Sequence, residues 1–272
     1  MAMLALPPLS VHGTLSTMTG SHPRIKELAD PVRTKVTIFS LVKIFEKEEY
    51  AQSFLNGSLY MNPLSYFRKY RDENGELRGD SWEGIGALYQ PAQLGELRIG
   101  ETVIPPSDLA GPIRVGHVHL EHAKVFCTYA LNDGGFDEDT ADHAEELMRL
   151  FAMHESCYRL GRFAAVVVNP TEFFERVRAA VRQLRPPAFT HGLVRYFDEN
   201  SHHGVLGEHP GFYKRRRYQR QREHRIMVEL PDSTEPLVLE VGNLSDIAVL
   251  TSPNKINAGL SIAPANDSAV AD

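Results

Sequence analysis

Cysteine is scarce. Cys127 and Cys157 are the only two in 272 residues, too few for a disulfide framework and in keeping with a reducing compartment. Long apolar runs are missing as well, and nothing approaches the roughly 20 consecutive apolar residues of a membrane helix. The apolar start, residues 1–6, has no positive flank and stops at Pro7-Pro8, so it does not read as a signal peptide. The expectation is a cytoplasmic protein with no membrane contact. An excess of positive charge is lacking too: 29 Lys and Arg face 35 Asp and Glu, the net charge is -6 and the pI is near 6.1. That excludes a globally basic packaging protein and leaves a local patch as the route to nucleic acid. There is no GxSxG, no Walker A sequence and no GxGxxG after a strand, which removes the corresponding hydrolase, NTPase and dinucleotide-binding readings. Neither HExxH nor a paired CxxC occurs, so no metal is assigned.

What is present is ordinary for a globular chain: 42% hydrophobic and 24% charged residues, with enough length for one sizeable core. Residues 1–33 mix Pro, Ser, Thr, Gly and Met without periodicity and read as a flexible leader. Residues 34–251 read as one catalytic α+β domain and residues 252–272 as a polar tail. Within the domain, β-branched and aromatic runs predict strands over 36–45, 58–61, 124–130, 164–168, 193–197, 226–230, 237–241 and 247–250, with two or three more between 85 and 118. Helical spacing predicts helices over 46–56, 63–70, 140–157 and from 170 towards 184, with Gly57 closing the first. Strands dominate, so the expected fold is α+β with a mostly antiparallel sheet.

Two stretches carry candidate chemistry. Arg78-Gly79-Asp80-Ser81-Trp82-Glu83-Gly84 sets two carboxylates three residues apart, beside an arginine and the only tryptophan. A carboxyl against an apolar ring can have a raised pKa while its neighbour stays ionised, dividing acid and base roles. The same stretch also suits a plain turn in which Asp80 caps a short helix and pairs with Arg78. The second stretch, Phe212 to Arg225, interleaves aromatics with cations, as phosphate neutralisation and base stacking require. Its candidate phosphate contacts are Lys214, Arg215, Arg216, Arg217, Arg220 and Arg222; a solvated basic loop is the plainer alternative. As a strand of period 2 it puts Gln221, Glu223 and Arg225 on one face, with Arg220, Arg222 and His224 on the other. Asp80, Glu83 and Glu223 are the candidate catalytic acids. Arg78, Trp82, Tyr218, Gln221 and Arg225 are the candidate substrate contacts, with Trp82 or Tyr218 as a stacking wall. At least one of the amide exchanges Asp80→Asn and Glu223→Gln is expected to cut the rate, and both to leave Tm nearly unmoved, because each change is nearly isosteric. Both cysteines read as buried apolar fillers, and the histidines lack metal-ligand spacing.

Several clusters together resemble a scattered family of uncharacterised bacterial proteins of the phage-defence type. They are Leu55-Asn56-Gly57-Ser58-Leu59-Tyr60-Met61-Asn62, Tyr66-Phe67-Arg68, Arg78-Gly79-Asp80 with Glu83-Gly84, and Phe126-Cys127-Thr128-Tyr129. The set closes with Tyr218, Gln221, Glu223 and Arg225, so the resemblance spans residues 36–250. The order of strand, short helix, turn and a late glutamate just before a strand is also similar to the ADP-ribosyltransferase-like fold. That similarity implies that Glu223 stabilises an oxocarbenium-like state as an N-glycosidic bond breaks. Enzymes of that fold hold NAD with a His or Arg in the first strand, where this chain offers only Lys35 and Lys43.

Three functions follow, in order. The first is a DNA glycosylase excising a modified base in anti-phage defence, akin in activity to enzymes acting on glucosylated hydroxymethylcytosine. The second is NAD-dependent ADP-ribosyl transfer to DNA or protein. The third is a non-catalytic nucleic-acid-binding or phage-sensing module. The first needs no cofactor and takes DNA as its partner, and no obligate protein partner is evident.

Overall fold

The structure is a computed structural model that describes residues 25–27, 36–71, 78–134, 148, 151–230 and 233–261. Its strands, in chain order, are β1 (Ile25–Glu27), β2 (Ile38–Phe45), β3 (Ser58–Pro63), β4 (Ile85–Tyr89), β5 (Leu97–Ile99), β6 (Thr102–Ile104), β7 (Ile113–Gly116) and β8 (Lys124–Asn132). They continue as β9 (Phe163–Val167), β10 (Ala188–Leu193), β11 (Arg195–Phe197), β12 (Gly204–Val205), β13 (Tyr213–Arg215), β14 (Glu223–Glu229), β15 (Leu237–Glu240) and β16 (Ala248–Thr251). The helices are α1 (Glu48–Leu55), α2 (Leu64–Lys69), α3 (Pro170–Leu184) and α4 (Pro253–Ile256).

The main sheet runs β1-β10-β14-β8-β2-β9-β16, with β3 joined to β8 and β15 to β3. Every pairing in it is antiparallel except β1 on β10. The fold is therefore α+β with mostly antiparallel sheet. β8 is its trunk, and the sheet forks beside it. The far end of β8 pairs with β2, through Val42 opposite Tyr129 and Ile38 opposite Asn132. Its near end pairs with β3, through Asn62 opposite Val125 and Pro63 opposite Lys124.

Alternation along the strands sorts side chains onto two faces. One face is covered by α3. Asn169 caps this helix by accepting from the Glu172 N–H at 3.1 Å, and Pro170 opens its first turn. Phe173, Val177, Ala180 and Val181 form its buried stripe and pack with Leu41, Phe126, Ala130, Ile226 and Val228. On the opposite face Met227 joins Leu64, Leu120, Ala123, Val125 and Phe212 in a smaller core. Glu223 and Arg225 share strand parity with Met227, so they lie on this second face.

Helix α1 stops where Gly57 takes φ 104, and a Cβ there would sit 2.2 Å from the Gly242 carbonyl oxygen. Several expectations need correction. Four strands, β4 to β7, occupy the region where two or three were expected. The strand expected over 193–197 is broken at Val194, whose N–H donates to the Glu223 carbonyl at 2.8 Å. Most of the helix expected over 140–157 lies outside the described residues, and Cys157 sits in a 3-10 turn, Glu155–Leu160. In the leader, Ile25–Glu27 forms an edge strand, and its other residues lie outside the described ones. The tail expected from residue 252 begins as packed structure. Ile256 is buried, and the Asn257 amide accepts from the Met153 N–H and donates to the Met153 carbonyl, both at 2.8 Å.

Candidate functional site

The two stretches singled out in the sequence meet. Glu83, Lys214, Glu223 and Arg225 form a buried ionic network, with Asp80 and Arg215 as a neighbouring buried pair, and none of the six is more than 7% exposed. β14 supplies Glu223 and Arg225, β13 supplies Lys214 and Arg215, and the turn ahead of β4 supplies Asp80 and Glu83. That turn is fixed locally, because Asp80 Oδ1 accepts from the Trp82 N–H at 2.9 Å. Gly79 lets it close onto α2: a Cβ there would fall 2.2 Å from the Tyr70 carbonyl oxygen.

Glu223 is held from both sides. Arg225 donates to its Oε1 from Nε at 2.9 Å and from Nη2 at 2.7 Å, and Lys214 Nζ donates to Oε2 at 2.6 Å. Arg225 also bridges to Glu83, Nη1 to Oε1 at 2.6 Å, and donates to the Gly211 carbonyl. Lys214 lies 4.0 Å from Glu83 Oε2, an oxygen with no hydrogen-bond partner. Asp80 and Arg215 form a second pair, at 2.8 to 2.9 Å.

The two linked glutamates titrate in opposite directions. Burial pushes Glu223 up, but Arg225 and then Lys214 outweigh it and hold the carboxyl well below the usual range. Burial raises Glu83 and prevails over Arg225 and Lys214, with Glu223 and Asp80 adding to the rise. Arg225 at 2.6 Å favours the ionised form of Glu83, so distance and burial pull against each other. Glu83 is the member that takes a proton first as pH falls, since Lys214 and Arg225 both direct most of their contacts to Glu223.

The network has an inner and an outer end. Glu83 is fully buried, while Glu223 is 5% exposed. Around Glu223 lie partly exposed residues: Cys127, directly opposite Arg225 on β8; Tyr196, whose hydroxyl accepts from the Glu223 N–H at 2.9 Å; and Gln221, which accepts from Lys214 at 3.2 Å. Burial, and then the charge of Glu223, push the Cys127 thiol up to about 12, so it stays protonated. Cys127 is partly exposed, packed against the Met227 core and beside Glu223, whereas Cys157 is buried as expected. Lys43 of β2 donates to the Cys127 carbonyl at 2.7 Å.

The remaining candidates divide between the interior and the surface. Lys214 and Arg215 point inward, where carboxylates neutralise them, so they do not offer their charge to phosphate. Arg222 donates to the Asn132 carbonyl and side-chain oxygens at 2.7 and 2.8 Å. Arg216 and Arg217 are exposed and face Asp198 at 3.6 Å and Glu199 at 3.2 Å, and Arg220 is exposed. The strand of period 2 begins only at Glu223. Residues Arg216–Gln221 form a 3-10 helix, and Arg222 takes a left-handed φ of 39 to turn into β14. Tyr218 is buried and donates to the Gly79 carbonyl at 2.8 Å, which removes it as a stacking wall. Trp82 already carries two guanidiniums, Arg114 and Arg215, each 5.1 Å from its ring. Arg78 pairs with Glu46 at 2.5 Å and donates to the Leu160 carbonyl; Asp80 pairs with Arg215 instead. Tyr196 and Cys127 were not selected from sequence as site residues. Only their strand registers, set by pairing partners far away in the chain, bring them to Glu223.

Among the described residues no group of three or more His, Cys, Asp or Glu could hold a metal ion, and no helix is long and apolar enough to cross a membrane. Compared with protein-family models, with curated proteins and with solved structures, the chain matches none.

Proposed function

We propose that this chain is an enzyme that cleaves an N-glycosidic bond in nucleic acid, excising a base from DNA, with modified phage DNA as the substrate in a defensive role. The carrying observation is the splitting of two buried carboxyls across one guanidinium: Glu223 held ionised, Glu83 raised behind it. An ionised carboxylate stabilises an oxocarbenium-like state, and a second carboxyl that can take a proton tunes or refreshes it. Burying so many charges supports the same reading. Desolvation costs several kcal/mol per ion, roughly, and apolar replacements are often as stable or more so, so stability alone does not call for such a network. In this reading Glu223 faces the sugar. Glu83 acts from behind, through Arg225.

ADP-ribosyl transfer is the second reading. It is favoured by Lys43 of β2, a cation without a carboxylate partner among the described residues, which donates to the Cys127 carbonyl. Lys35, the other candidate cation, lies outside the described residues. One experiment separates the two. Purified protein is incubated with unmodified and modified phage DNA, with and without NAD, and abasic sites and ADP-ribose transfer are scored together. NAD-independent abasic sites are expected. Transfer only with NAD favours the second reading, and neither product from any DNA refutes base excision.

A further inference from the structure

We propose that Lys214 is a positioning residue with two seats: its ammonium clamps Glu223 in the free site and passes to Glu83 when a positive charge forms beside Glu223. The inference rests on the reading of Glu223 as the carboxylate that meets the sugar, and it says how that carboxylate is released for the task. In the free site both oxygens of Glu223 are engaged. Arg225 donates twice to Oε1, at 2.7 and 2.9 Å, and Lys214 Nζ lies 2.6 Å from Oε2. A cationic sugar approaching Oε2 would meet the Lys214 ammonium, like charge against like. One of the two cations must therefore yield.

Arg225 cannot. Besides its bonds to Glu223 it donates to Glu83 Oε1 at 2.6 Å and to the Gly211 carbonyl, so its planar guanidinium is fixed from several directions. Lys214 can. Its Nζ lies 4.0 Å from Glu83 Oε2, a buried carboxylate oxygen with no hydrogen-bond partner among the described residues. A shift of about 1 Å at the tip of a flexible four-carbon stem closes that gap to hydrogen-bond length. Its bond to the Gln221 side-chain oxygen, at 3.2 Å, is to a neutral acceptor and holds it less strongly.

The move transfers a hydrogen bond and no proton. Burial alone would lower the pKa of Lys214, but Glu223 and then Glu83 outweigh it and raise the value, so the group is an ammonium in either seat. Its arrival favours the ionised form of Glu83, which burial opposes. Lys214 and Arg225 then both lean on Glu83, and the charge of Glu223 Oε2 is turned to the sugar.

The test uses the full chain and two oligonucleotides that bypass base excision. In one, a pyrrolidine, protonated at neutral pH, replaces a deoxyribose; in the other a neutral tetrahydrofuran does. The ratio of their dissociation constants isolates the charge at the sugar. The unsubstituted chain is expected to favour the pyrrolidine by at least about tenfold, the lower end of what a close opposite charge gives. Lys214→Met removes the competing ammonium and should raise that preference, while Glu83→Gln weakens the second seat and should lower it, each by about tenfold. A merely structural role for either side chain would move both dissociation constants together. Both variants disturb a buried ion pair, so a crystal structure of the unsubstituted chain with the pyrrolidine oligonucleotide reads the seat directly. Lys214 Nζ is expected within hydrogen-bond reach of Glu83 Oε2 and withdrawn from Glu223 Oε2. Lys214 still on Glu223 in that complex, equal binding of the two oligonucleotides, or preferences that shift alike in the two variants overturns the proposal and leaves base excision standing. Binding of neither oligonucleotide overturns the sugar-facing reading of Glu223, and the inference with it.

Discussion

Replacing Glu223 with Gln is the sharpest perturbation of the network, and its magnitude follows from the contacts. The amide keeps the shape of the carboxylate but not its acceptors. One oxygen can still receive Arg225, whose donors lie 2.7 and 2.9 Å away, while the new NH2 must face the Lys214 ammonium at 2.6 Å, donor against donor. Two cations, Lys214 and Arg225, then share only Glu83, in surroundings from which water is excluded. Breaking a buried pair by removing one partner costs about 3–5 kcal/mol, a large part of the roughly 5–15 kcal/mol that holds a domain folded. The expectation from sequence, that a near-isosteric amide leaves Tm unmoved, is therefore replaced by a large destabilisation. Urea unfolding at pH 7, followed by far-UV circular dichroism and compared at constant m, measures it. Glu223→Gln combined with Lys214→Met restores neutrality, so the double variant should lose less than the sum of the singles, by about 1–3 kcal/mol. A loss below about 1 kcal/mol for Glu223→Gln with no coupling to Lys214 would show that the pair is not a buried ion pair in solution. Activity of Glu223→Gln must be read where it is folded, and a rate loss there of about 10²-fold or more is expected of the charge itself.

Three further outcomes are expected. His191 is buried between Arg178, at 3.1 Å, and His224, at 3.4 Å, and burial followed by the Arg178 charge lowers its pKa from 6.5 to about 4. The unfolded chain thus takes a proton that the folded one refuses, so stability should fall as pH drops from 6.5 towards 4, by about 3 kcal/mol, and His191→Asn should flatten that slope in denaturation curves. Gly57→Ala should lower stability by about 1–3 kcal/mol, because φ 104 and the nearby Gly242 carbonyl both oppose a Cβ; an unchanged urea midpoint would contradict this. Arg216→Ala with Arg217→Ala should leave the urea midpoint almost unmoved and reduce the salt dependence of DNA binding, while Arg215→Ala should instead unfold more easily, its partner Asp80 being buried.

The strands of the main sheet were legible because their residues are buried on alternate or both faces, and β8 and β9 read as apolar runs for that reason. Helix α3 was legible at both ends, through the Asn169-Pro170 start and its period of apolar residues. The acids of the site were legible too, as Asp80, Glu83 and Glu223 do converge. Their cations were misread. Lys214 and Arg216 sit two residues apart in one basic run, yet β13 turns the first inward to Glu223 while the 3-10 turn leaves the second in water. Composition cannot separate them, because only the tertiary position of the carboxylates decides which cation is taken out of solvent. The position of Tyr196 was hidden for a related reason. The break at Val194 exists because its N–H is claimed by the Glu223 carbonyl, a contact between chain segments that no local pattern encodes.

Strand parity explains why the network and the histidine pair are separate devices on one strand. Glu223 and Arg225 point to the face of Met227, while His224 points to the face of Ile226 and Val228, where Phe174 lies 4.9 Å from its ring and 4.7 Å from that of His191. Arg178 can only donate, so His191 Nε2 must accept, its Nδ1 must carry the proton, and His224 Nε2 must accept in turn. That leaves the proton of His224 on Nδ1, which has no partner. Both rings are thereby fixed as neutral tautomers by a single arginine on α3, and the charge of β14 is confined to its other face. The ionised form of Glu223 is therefore held by Lys214 and Arg225 alone, on its own face, and burial keeps the histidines of the reverse face neutral.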